Sequence, residues 1–147
     1  EDKSLNEKVC KYLKDKYSIN YQHQGCIIFE DDKCYMKKMN QLIDGCDNEF
    51  KPLLDRYKYF DRHPEHSQLE YRQQAEIFIQ LLENKLEQQT FLIDSRIRLV
   101  DVAIFPFVRQ FAAVDANWFT QSAYKRLHVW LTTCTNTDMF KKIMAKS

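Results

Sequence analysis

The sequence predicts an all-α protein, one bundle of five or six helices around a central buried one. Three observations predict it. Only two of the 147 residues are glycine, where average usage would supply about ten; the tight turns of sheets lean on glycine and asparagine for positive φ. Apolar residues recur at spacings of three and four, and no convincing strand pair appears. The stretch "RLVDVAIFPFVRQF", Arg98 to Phe111, is apolar almost throughout, as a helix buried on all sides must be. A chain of this length buries roughly 68–70% of its unfolded surface, enough for one domain.

The elements follow in order. "SLNEKVCKYLKDK" places Leu5, Val9, Tyr12 and Leu13 on one face, with Ser4 as N-cap. "YSINYQHQGCIIF" is irregular, so residues 1–30 form a segment with a single helix and the main domain runs over 31–147. Asp31 and Asp32 suit a helix N-terminus. From there Tyr35, Met36, Met39, Leu42, Ile43, Cys46, Phe50, Leu53, Leu54 and Tyr57 form one stripe. Gly45 and Pro52 weaken its middle, which predicts one long kinked helix or two in tandem. "DRHPEHS" breaks the pattern, because a proline disfavours helical geometry in the residue before it. Ser67 and Glu70 have the spacing of a capping box. The helix they open has Tyr71, Ala75, Phe78, Leu82 and Leu86 inward, with Arg72, Gln73, Gln80 and Glu87 off the stripe. "TFLIDSRIR" is a short connection, and "DANWFTQ" reads as an aromatic turn. "SAYKRLHVWLTTC" carries Ala123, Leu127, Trp130, Leu131 and Cys134 on one face, and "TDMFKKIMAK" closes the chain.

Asp101 and Pro106 interrupt the central apolar run. An acid buried without partners is costly, and a capping box removes that cost. With Arg98 as N-cap, Asp101 is the third helical residue and reaches back to the Arg98 N–H. Ile97 and Val102 then occupy the positions of a hydrophobic staple. Pro106 removes one backbone bond and predicts a bend near Val102. The competing possibility is a solvent-facing Asp101. Capping alone predicts a loss of roughly 1–2 kcal/mol for Asp101→Ala, with no change of chemistry.

Composition excludes several classes. Net charge is +1, with 22 basic and 21 acidic residues, which leaves no electrostatic footprint for nucleic acid or an anionic membrane. No apolar run approaches the ~20 residues of a membrane span. Five cysteines without a Cys-x-x-Cys pair fit reduced thiols in a cytoplasmic protein. His63 and His66, across the proline of "HPEH", are a solvated turn rather than a zinc site, having no second ligand pair. Cys10 lies near Lys8 and Lys11, whose charge lowers a thiol pKa, but no histidine is placed to serve as its base. No Gly-rich phosphate loop is present.

"FLIDSRIRLVDVAIFPFVRQF" resembles the segment of the glutathione transferase C-terminal domain that leads into its central helix. Phe91, Leu92, Leu99, Asp101, Ala103, Ile104, Pro106, Phe107 and Phe111 are similar to the bacterial version. "NEFKPLLDRYKY", "HPEHSQLEYRQQAEIFIQLLENKL", "VDANWF" and "MFKKIM" extend the likeness in order, over about Asp31 to Met144. The sequence departs where Arg98 replaces the usual capping Ser or Thr, where "LIDSR" lacks a glycine, and where Lys125 replaces a proline.

The resemblance implies a complete protein that conjugates or reduces small electrophiles with glutathione as co-substrate. It implies no cofactor bound to this chain and no catalytic residue within it. The substrate pocket would draw on Tyr35, Met36, Met39 and Trp118. Family members also carry a thioredoxin-like domain, most of which is not in this sequence. "KSLNEKVCKYLKDK" is similar to its last helix, which would make Ser4 a remnant glutathione contact; an ordinary N-cap is the plain alternative. The resemblance further implies a homodimer through Asp31–Tyr59 and Ser67–Leu86, hiding outward apolar residues such as Ile77 or Leu81. The alternative function is a non-catalytic helical interaction module of the same fold.

Overall fold

The computed structural model of the chain describes residues 33–138 and 141. Ser4 and the helix predicted after it, Cys10 and most of the closing "TDMFKKIMAK" lie outside the described residues. Among the described residues every regular element is helical, as the glycine count and the spacing predict.

Helix α1 (Lys33–Gly45) runs into a π-helical turn (Cys46–Phe50) and on into α2 (Lys51–Lys58). The two alternatives at Gly45 and Pro52 resolve into a single helical rod with a widened turn. There the Lys51 N–H donates to the Cys46 carbonyl, five residues back. Pro52 explains the widening: its ring would collide with the carbonyl of Asn48, inside that turn, and it has no N–H to offer. The stripe points inward as predicted, with Met39, Leu42, Cys46, Phe50, Leu54 and Tyr57 all buried.

After a single 3₁₀ turn (Phe60–Arg62) the chain turns back into α3 (Gln68–Lys85). The predicted capping box is complete: the Ser67 N–H donates to Glu70 Oε1 at 3.0 Å and the Glu70 N–H to Ser67 Oγ at 3.1 Å. The Tyr71 hydroxyl fastens the corner by donating to the His63 carbonyl at 2.7 Å.

Helix α4 (Leu99–Val114) passes unbroken through Pro106 and packs against α1, α2, α5 (Ala116–Gln121) and α6 (Lys125–Thr135). It is the centre of the bundle, with Val100, Val108 and Phe111 wholly buried. Two expectations need correction. "DANWFTQ" forms helix α5 rather than a turn, because the Asp115 carboxylate accepts from the Trp118 N–H at 3.1 Å and caps it. Ala123 is exposed, since α6 starts only at Lys125.

Candidate functional site

The best-determined polar site is Asp101, in the first turn of α4 and 0% exposed. Its Oδ2 accepts from the Arg98 N–H at 2.9 Å, the predicted half of the capping box. Its Oδ1 accepts from the Leu92 N–H and from Trp130 Nε1, each at 2.9 Å. One carboxylate therefore ties together the α3–α4 connection, the start of α4 and the middle of α6. Burial pushes its pKa up to about 6 against the opposing pull of these donors. Arg98, a donor-only side chain, cannot return the second bond of a capping box. It lies buried and grips Asp94 instead, with Nη2 to Oδ2 at 2.6 Å and Nε to both oxygens. The Arg98 hydrogen bond holds the Asp94 carboxyl below its usual range. Cys134 is buried beside this anchor, and burial, with the Asp101 charge second, raises its thiol pKa far out of the reactive range.

A second polar centre lies among α2, α3, α5 and the start of α6. The Tyr124 hydroxyl donates to Glu76 Oε1 at 2.6 Å. The Arg72 Nε is 3.6 Å from Glu76 Oε2, and its guanidinium stacks 4.0 Å above the Trp118 ring. Tyr57 is 2% exposed, and burial raises its pKa while the facing Arg72 lowers it. Burial, with the Glu76 hydrogen bond second, pushes Tyr124 upward as well. Higher along α3, Glu83 accepts from the Leu127 N–H at 2.9 Å and the Arg126 N–H at 3.3 Å. This carboxylate caps α6 from a neighbouring helix, where Tyr124 offers no side-chain cap.

Of the predicted site residues, Tyr35 and Met36 fall in the first turns of α1, with side chains outside the described residues. Met39 is 2% exposed and belongs to the core. Trp118 belongs to α5, against Phe111, Phe119, Tyr124 and Arg72. A cleft of about 480 Å³ separates α6 from the end of α3; Lys125, Arg126, Val129 and Gln89 line it, but neither Met39 nor Trp118 does. A smaller one of about 320 Å³ lies against α1, the π turn and α3, between Gln41, Asp44, Phe78 and Leu81. Beside it Ile77 is 76% and Leu81 44% exposed. Among the described residues no three His, Cys, Asp or Glu side chains are grouped to hold a metal.

Residues 34–138 match the family described as "Glutathione S-transferase, C-terminal domain". The chain belongs to that family. Among solved structures, this transferase-type domain is similar to a serine-to-cysteine mutant of poplar glutathione transferase F1, at 17% identity and a TM-score of 0.65. The match covers 92% of this chain and 64% of that one, so the chain spans less than two thirds of that protein's length. At that identity the likeness is one of fold. No curated protein sequence matches the chain.

The sequence pointed to Asp101 but not to its Trp130 and Leu92 donors, which come from 29 residues downstream and 9 upstream. Arg72 and Glu83 escaped it because helical spacing assigns charged residues to a solvated face. Each sits at the border of its stripe, where a neighbouring helix brings a ring or an open backbone end.

Proposed function

We propose that this chain is the helical part of a glutathione transferase-like protein, of the bacterial type, whose complete form conjugates or reduces small electrophiles with glutathione. The observation that carries the proposal is family membership across residues 34–138, a stretch that includes the buried α4 and its Asp101 anchor. Such chemistry requires a glutathione thiolate, whose parent thiol has a pKa of about 8.5 and must be lowered by a donor or a positive dipole. The two described cysteines, Cys46 and Cys134, are both buried, and neither is assigned a role in it. In this proposal the helical part contributes the apolar side of the electrophile pocket through Tyr35 and Met36, with Trp118 at its edge, while Met39 supports that wall from within the core. Ser4 would be a glutathione contact.

The protein would act in the cytoplasm as a homodimer. The outward position of Ile77 and Leu81 beside the cleft on α1 and α3 supports a face made for a second copy. The same exposed face is what a non-catalytic interaction module would offer.

Titration of the isotope-labelled chain, followed by amide shifts, tests the pocket. S-hexylglutathione, which carries an apolar arm, is expected to move the amides of Tyr35 to Met39 at millimolar concentration, whereas glutathione alone moves none. Silence in α1 with the apolar probe would leave only the interaction module.

A further inference from the structure

The larger cleft, of about 480 Å³, has the size of a small-molecule site. One wall is a single face of α6, where Arg126, Val129 and Thr133 follow at spacings of three and four. The other is the chain leaving α3, Glu87 to Thr90, with Leu86 and Trp130 buried between the two. Val129 stands 64% exposed among polar neighbours. The Arg126 guanidinium is held by a bond from Nη1 to the Glu87 carbonyl at 2.8 Å, which leaves Nε and Nη2 to donate elsewhere. Lys125 Nζ donates to the Thr120 carbonyl at 3.0 Å and keeps its other protons. Among the described residues neither cation has a carboxylate partner. Glu83 is occupied by the Leu127 and Arg126 N–H groups, and Glu87, the one acid that lines the cleft, pairs with neither cation.

We infer that this cleft binds a small organic monocarboxylate, with the carboxylate on Arg126 and Lys125 and the apolar body along Val129. A planar guanidinium fork fits a carboxylate bidentately, a geometry that an ammonium cannot offer but can reinforce. Lys125 and Arg126 against Glu87 leave a single positive charge in excess, so a ligand with one negative charge is what the lining balances. A dicarboxylate or a phosphate monoester would bring its second charge against Glu87. A bare inorganic anion would leave Val129 in water. The exposed amide of Gln88 adds donors on the opposite wall. The bond to the Glu87 carbonyl serves the site as well as the fold, because it holds the fork at the cleft before any ligand arrives, and less side-chain freedom is lost on binding. Neither Met39 nor Trp118 lines this cleft; the site is separate from the proposed electrophile pocket and does not rest on it.

Amide shifts of the isotope-labelled 147-residue chain, titrated with 4-phenylbutyrate and with its neutral twin 4-phenylbutan-1-ol, test the site. The acid is expected to give saturable shifts at Glu87 to Thr90 and at Arg126 to Thr133 at millimolar concentration. The alcohol should bind about fivefold more weakly, the scale of one partly exposed ion pair. Equal binding of the two would reduce the cleft to an apolar dent and overturn the inference. So would the absence of saturable shifts there, and shifts confined to Tyr35 to Met39 would do the same while leaving the electrophile pocket standing. Arg126→Gln should weaken the acid about fivefold and leave the alcohol as it was. That change also removes a bond to the end of α3, so Gln88→Glu is the second variant. Gln88 makes no side-chain hydrogen bond among the described residues, and the added charge should weaken the acid alone. Acid binding that either variant leaves unchanged would mean that charge does not hold the ligand, and the site would fall.

Discussion

At the scale of a single residue, Asp101 does more than capping requires. A surface N-cap is worth about 1 kcal/mol, but here three N–H groups converge on one buried carboxylate. Asp101→Ala orphans all three, so the expected loss rises from the 1–2 kcal/mol of a cap to about 3 kcal/mol or more. Urea unfolding at neutral pH checks the figure. Its pH dependence has a definite sign. Folded Asp101 keeps its proton up to about 6, against 3.8 for the unperturbed group. Between those values the folded state binds the extra proton, so the contribution to stability falls as pH rises through the window and is level above it. The wild-type lead over Asp101→Asn, which cannot titrate, is therefore expected to be largest near pH 4 and to shrink by pH 7. A lead that does not vary with pH would show that the carboxylate is ionised throughout. The cap itself was legible in the sequence because it is local, with donor and acceptor three residues apart. The Trp130 contact was not, because only the packing of α6 on α4 creates it.

At the scale of an element, two helices are shaped by residues that local pattern treats as ordinary. Glu83 accepts from two open N–H groups of α6, so Glu83→Ala is expected to cost about 1–2 kcal/mol. Faster hydrogen exchange at the Leu127 amide should accompany that loss; unchanged exchange there would mean that α6 does not depend on this cap. Gly45 gives the opposite case. Its backbone is helical, with φ −61° and ψ −41°, and an added Cβ would meet Phe78 Cε1 at 3.4 Å, an ordinary contact. Gly45→Ala should therefore stabilise the rod by about 0.5–1 kcal/mol through reduced chain entropy, raising the denaturant midpoint without altering its slope. The sequence marked Gly45 and Pro52 as a weak point but left open a kink or a break. Apolar spacing continues across the π turn, so the pattern alone could not tell the two apart.

At the scale of the whole molecule, the bundle was readable because each stripe has one place to go, and α4, with almost no polar face, has to be its centre. The functional surface was less readable. Whether an apolar residue is core or interface depends on what stands opposite, and Met39 and Ile77 look alike in the sequence yet differ from 2% to 76% exposed. That contrast sets up a test of the proposed dimer. Ile77 and Leu81 are one helical turn apart on α3 and sit beside the smaller cleft, which α1 also lines. Burying both against a second copy would contribute roughly 1.5–3 kcal/mol per fully covered side chain. Placing a charge at either position would instead require that charge to be desolvated and, across a two-fold axis, to approach its own copy. Ile77→Glu and Leu81→Glu are thus expected to shift the chain toward monomer in sedimentation equilibrium. Their effect on a monomer's thermal midpoint should be small, because neither residue contributes to the core. A substitution outside that cleft, Val129→Glu on the exposed face of α6, is the matched control and should leave the association unchanged. Equal weakening by all three would point to general surface stickiness instead of an α1–α3 interface. No change from any of them would remove that face as the dimer contact.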